Sequence, residues 1–130
     1  MGHDGVIADS CAWIGYFRRE ASDLKETLER LLISGSVVIC GVVMYELSQG
    51  LKSDKERSLV TDAMQSLRYV EMSPVLWLKA ADVAGALRRR GKTVPLSDVI
   101  IAALAMEHNL AVLTVDKHFN LIENLKIINP

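Results

Sequence analysis

At 130 residues, half of them hydrophobic and 24% charged, the chain has enough apolar material for one globular core, so residues 1–130 are expected to form a single domain. A formal net charge of -1 argues against holding nucleic acid by bulk electrostatics and leaves only a local basic patch for that purpose. Two cysteines, Cys11 and Cys40, lack the paired spacing of a zinc site and make a poor disulfide framework; no apolar run approaches the roughly 20 residues of a membrane span, and no secretion signal opens the chain, so a cytoplasmic location is expected. Met1 to Asp4 are read as a stretch that can include vector residues or be disordered.

In chain order, Val6 to Ala8 is a short apolar run that predicts a buried strand ending in Asp9. Cys11 to Phe17 predicts a short helix. From Ser22 a clearer one follows, with Leu24, Leu28, Leu31 and Leu32 at helical spacing and Gly35 as its stop. Val37 to Cys40 is a second compact apolar run, and the helix after it, Val42 to Leu51, carries Glu46. An amphipathic helix from Asp54 to Arg68 is expected to bury Leu59, Val60, Ala63, Met64 and Leu67, with an edge strand at Tyr69 to Met72. Ser73 as N-cap, Pro74 at the first helical position and Gly91 past the end frame the next helix, whose last turn holds Arg88, Arg89 and Arg90.

The segment from Leu96 to Phe119 is the most informative. Val99 to Met106 is apolar on every side, which predicts a helix buried against a sheet, with Ser97 as its cap, Asp98 in its first turn and Asn109 at its end. Ala111 to Val115 reads as a strand covered on both faces, with Asp116 immediately at its carboxyl end. Leu125 to Ile128 adds a last strand. About five strands separated by helices specify an α/β fold, a three-layer α/β/α sandwich around a mostly parallel sheet.

Open parallel sheets place their binding crevices at the carboxyl ends of strands. Asp9 and Asp116 end strands, and Glu46 and Asp98 lie near helix starts, so all four acids are expected along one rim. Four carboxylates in one crevice repel each other and raise each other's pKa values, a cost that a divalent cation removes. Oxygen ligands without a histidine or cysteine pattern favour Mg²⁺, with Mn²⁺ as a substitute, and some of the acids are expected to act through water. Hydrolysis of a phosphodiester is the natural reaction.

These residues resemble the PIN domain family and, within it, the small VapC-type toxins. The resemblance is carried by VIADSCAWI around Asp9, VVMYELSQGL around Glu46, LSDVIIAALA around Asp98 and TVDKHF around Asp116, in that order across nearly the whole chain. It implies an α/β/α endoribonuclease dependent on Mg²⁺ or Mn²⁺, with Asp9, Glu46, Asp98 and Asp116 as catalytic and metal-binding residues, inhibited by a cognate antitoxin. Ser10 and Thr114 match family positions that would place water or phosphate. Gly41, opening the Glu46 helix, and Cys11 depart from the family's usual residues.

Other readings stand beside these. Arg89, Arg90 and Lys92 could grip RNA phosphates, but basic residues also belong in a helix's last turn. His118 could contact substrate, or be a surface residue that follows the last acid. Trp13, Trp77, the methionines and both cysteines are expected in the core or at an interface. A homodimer bound by an antitoxin completes the reading, with the exposed parts of the Leu24 and Leu59 helices as the docking surface. The alternatives are a PIN nuclease in RNA processing or DNA cleavage without an antitoxin, and a receiver-like Mg²⁺-binding signalling domain suggested by Thr114 and Lys117. The receiver reading lacks an aspartate at the end of Val37 to Cys40 or Tyr69 to Met72.

Overall fold

The computed structural model describes residues 2–130; Met1, the first residue of the stretch Met1 to Asp4, lies outside the described residues. Asp4 belongs to the fold, because its N–H donates to the Asn109 carbonyl at 2.7 Å.

The first half of the chain forms β1 (Val6–Ala8), α1 (Ser10–Phe17), α2 (Asp23–Ile33), β2 (Val37–Cys40), α3 (Gly41–Ser48) and α4 (Asp54–Gln65). The second half forms β3 (Arg68–Val70), α5 (Pro74–Arg89), α6 (Leu96–Glu107), β4 (Ala111–Leu113), a 3₁₀ turn (Lys117–Leu121) and β5 (Lys126–Ile128). All five strands pair in parallel in the order β3-β2-β1-β4-β5. Every residue of β1, β2 and β4 is buried, which is why these segments show no polar alternation, while the edge strands β3 and β5 carry exposed positions. A receiver domain orders its strands 2-1-3-4-5, so this topology removes that alternative.

Local signals set most of the boundaries. The hydroxyls of Ser22, Ser53 and Ser73 each accept the N–H three residues on, capping α2, α4 and α5. Asn109 adopts φ 54° just past α6, and the Leu110 N–H returns to the Ala105 carbonyl at 2.7 Å, closing that helix tightly enough to feed β4 directly. In α6 every residue from Asp98 to Ala105 is buried, and Val99 and Ala103 pack on Ala80 of α5. The small side chains there let two helices approach closely over the sheet.

Three expectations need correction. Ser97 does not cap α6: Pro95 occupies the N-cap without a side-chain hydrogen bond, and Ser97 lies inside the first turn. Pro95 contributes its carbonyl instead, which accepts the Asp98 and Val99 N–H groups at 3.1 Å each. The strand before Asp116 closes at Leu113, because Thr114 hydrogen-bonds to the neighbouring acids and turns the chain; Asp116 lies three residues beyond the strand. Leu59 is 60% exposed rather than buried, because α4 lies on the rim and turns only Val60 and Met64 fully inward.

Candidate active site

Strand order reverses between β1 and β4, where the chain leaves β1 for β2 on one side and returns to β4 on the other. Such a switch point leaves a crevice at the carboxyl ends of the two strands. Asp9 follows β1 directly, and the segment from Thr114 to Asp116 follows β4. From the flanks, α3 contributes Glu46 and the first turn of α6 contributes Asp98. The four acids line one cleft of about 300 Å³ together with Ser10, Cys11, Pro95, Ser97, Val115 and His118. The structure therefore brings all four predicted acids together.

Asp9 is held hardest. It is 5% exposed and caps α1, accepting the Ser10 N–H at 2.8 Å through Oδ1. Its Oδ2 accepts the Thr114 hydroxyl at 3.0 Å and faces the Cys11 thiol at 3.6 Å. The Thr114 Oγ1 in turn accepts the Asp116 N–H at 2.9 Å, so one buried hydroxyl fixes both strand-end acids. Its donor is committed to Asp9, which makes Thr114 a holder of carboxylates rather than a free contact for water or phosphate. Asp116 caps the 3₁₀ turn and accepts the His118 N–H at 2.9 Å.

The electrostatics are those of uncompensated negative charge. Burial, then the carboxylates of Asp9 and Asp116, push the Asp98 pKa up to about 6, with His118 opposing. Glu46 is also raised, first by its partial burial and then by Asp9, while the hydroxyls of Ser10 and Ser97 pull the other way. Among the described residues no lysine or arginine forms an ion pair with any of the four. Among the described residues the one basic group lining the cleft is His118, whose Nδ1 lies 3.3 Å from Asp98 Oδ2 and 3.1 Å from Asp116 Oδ1. Oxygen atoms of Asp98 and Asp116 and a ring nitrogen of His118 all lie within 4.8 Å of one another, a spacing that can hold a metal ion. The donor set and the raised carboxylate pKa values both fit a divalent cation.

Two of the cleft residues were expected elsewhere. Cys11 is part-buried and outside the core; it sits in the first turn of α1, where its side chain points back to the capping carboxylate, and burial raises its thiol pKa. Ser97, expected as a cap, stands beside Glu46 instead. Both lie one or two residues from an acid at a helix start, so the helical turn itself carries them into the cleft. Arg89, Arg90 and Lys92 do not line the cleft: they are exposed at the end of α5, where Arg90 approaches Glu123 at 3.8 Å. Trp13 is fully buried and stacks on Phe17 at a centroid distance of 5.8 Å, whereas Trp77 is 48% exposed.

A three-layer parallel sheet with clustered acids at its switch point defines a class of α/β domains built around a divalent cation. Within that class the chain belongs to the PIN domain family, whose model matches residues 6–125. Among curated relatives, Ribonuclease VapC21 of Mycobacterium tuberculosis (strain CDC 1551 / Oshkosh) is 29% identical over 109 residues, covering 82% of this chain and 79% of its own length. Ribonuclease VapC11 of the same strain is 27% identical over 124 residues, covering 92% of each. The fold is shared with DNA-bound VapBC from Salmonella typhimurium, at a TM-score of 0.81 and 20% identity over 95% of this chain and 96% of that one. It is shared as well with VapBC2 from Rickettsia felis bound to a promoter DNA fragment, at 0.80 and 20% over 96% and 98%.

Proposed function

We propose that this protein is a metal-dependent endoribonuclease, the toxin of a VapBC-type pair, acting in the cytoplasm as a homodimer that a cognate antitoxin restrains. The observation that carries the activity is the convergence of Asp9, Glu46, Asp98 and Asp116 on one cleft with no lysine or arginine to neutralise them among the described residues. The names of the VapC relatives, which are ribonucleases, support RNA as the substrate. The titles of the similar VapBC structures support an antitoxin partner.

Asp9, Asp98, Asp116 and Glu46, which line the same cleft, would hold the cation, Mg²⁺ or Mn²⁺, some directly and some through water. When bound, the cation lowers the pKa of water and offsets negative charge on the scissile phosphodiester. The chain's own residues do the rest. Thr114 fixes Asp9 and Asp116 relative to one another, and the α1 N-terminus orients Asp9. Glu46, with its raised pKa, takes a proton from the attacking water at its carboxylate. Ser10, whose hydroxyl lies beside Glu46, orients water or phosphate. Val115 and Pro95 add apolar surface to the cleft wall.

A second groove of about 550 Å³ lies between α1, α3 and α4 and is lined by Ile14, Phe17, Leu47, Leu51 and Leu59, with Glu46 on its margin. Glu46 thus belongs to both clefts, so an apolar antitoxin segment seated in this groove would reach the acids. Purified protein should cleave RNA with Mg²⁺ or Mn²⁺ and stop in chelator, and its expression should arrest growth unless Asp9 is changed to Asn. RNA left intact under every divalent cation tried would refute the reading.

A further inference from the structure

His118 enters the cleft from the 3₁₀ turn after β4. Its backbone N–H is tied to Asp116 Oδ1 at 2.9 Å, which fixes the base of the side chain and directs Nδ1 at two carboxylates. Two ligands about 2.1 Å from a single ion lie roughly 3.0 Å apart at a right angle and roughly 3.4 Å apart at a tetrahedral angle. The Nδ1 separations of 3.3 Å from Asp98 Oδ2 and 3.1 Å from Asp116 Oδ1 fall between those limits. The same three side chains supply ligand atoms within 4.8 Å of one another. Resting on the reading of the cleft as a cation centre, we propose that His118 ligates the cation through Nδ1, making a mixed nitrogen–oxygen site that favours Mn²⁺ and Co²⁺ over Mg²⁺. An imidazole nitrogen suits these borderline ions better than Mg²⁺, which prefers oxygen and gives up its waters reluctantly.

The competing account gives His118 a different task, that of a cationic side chain neutralising Asp98 and Asp116 and giving way when a metal arrives. The two accounts predict opposite signs. Calorimetric titration of the full chain with MnCl₂, CoCl₂ and MgCl₂ would compare the parent with His118→Ala and Asp98→Asn. As a ligand, His118 makes Mn²⁺ and Co²⁺ binding at least about tenfold weaker when removed, with a smaller loss for Mg²⁺, while Asp98→Asn weakens all three. Tighter binding by His118→Ala, or unchanged binding, overturns the proposal but leaves the cation reading intact so long as Asp98→Asn still loses affinity. Failure of the parent to bind any of the three overturns both. A second readout uses histidine-¹⁵N-labelled protein: saturating Zn²⁺ should shift an imidazole nitrogen resonance of the parent that is missing from His118→Ala, and the absence of a shift at that resonance contradicts ligation.

Discussion

Thr114 joins the acids at the level of single atoms. Its hydroxyl donates to one carboxylate and accepts the backbone N–H that leads to another, and it is 1% exposed, so no water replaces it easily. Thr114→Val keeps the shape but leaves Asp9 one donor short and the Asp116 N–H without its acceptor. An unpaired buried polar group costs about 1–3 kcal/mol, and loss of support to metal-binding residues costs about 10–100-fold in activity. Denaturant melts and RNA cleavage rates of the variant would check both figures.

Asp98 gives a pH signature. Its folded pKa of about 6 stands above its ordinary 3.8, so between those values the folded protein holds a proton that the unfolded chain has released. Stability therefore falls as pH rises through that window, by up to about 3 kcal/mol, and stays reduced above it. In chelator at pH 7, Asp98→Asn should melt at a higher temperature than the parent, with the gap closing near pH 4. The same repulsion predicts that Asp116→Asn is no less stable than the parent in chelator; a clearly lower melting temperature would make Asp116 structural. At this scale Asp9, Asp98 and Asp116 were legible because each lies just past a strand or opens a helix, whereas Glu46, in the second turn of α3, was legible only through the VVMYELSQGL motif that holds it. His118 was legible only as one of two alternatives and Cys11 not at all, since their places depend on helical and 3₁₀ turns that carry a neighbouring side chain around to face the acid.

At the scale of elements, Gly5 shows how little room the sheet leaves. It has φ 153°, and a Cβ there would lie 3.0 Å from the Ser36 carbonyl oxygen and 3.1 Å from the Leu110 side chain. The Gly5 carbonyl also accepts the Ala111 N–H at 3.0 Å, so the backbone cannot move away without loosening β4. Gly5→Ala should cost about 2 kcal/mol or more, read as a lower denaturation midpoint. Gly41, the family departure at the start of α3, is a milder case: an added Cβ would meet only the Tyr69 hydroxyl, at 3.0 Å, on a side chain that is half exposed and able to move. Strands β1 and β2 and the frame of α5 were readable because apolar runs and the Ser73–Pro74–Gly91 signals act locally. The end of β4 and the cap of α6 were not, because tertiary hydrogen bonding at Thr114 and the fixed φ of Pro95 decide them. The exposure of Leu59 depends on where α4 sits against the sheet, which helical spacing alone does not state.

For the whole molecule, the strand order puts the ends of β1 and β4 side by side, and the helices then supply Glu46 and Asp98 from the flanks. The fold concentrates negative charge at one rim and relies on a cation to relieve it. A cation at 100 times its dissociation constant should therefore stabilise the parent by about 2.7 kcal/mol, a gain measurable as a thermal shift and lost in Asp98→Asn. The most direct measurement is the rate of RNA cleavage, with Mn²⁺ or Mg²⁺, by Asp9→Asn and Asp98→Asn proteins shown by circular dichroism to be folded. The account predicts that both lose cleavage; undiminished cleavage by both would contradict it.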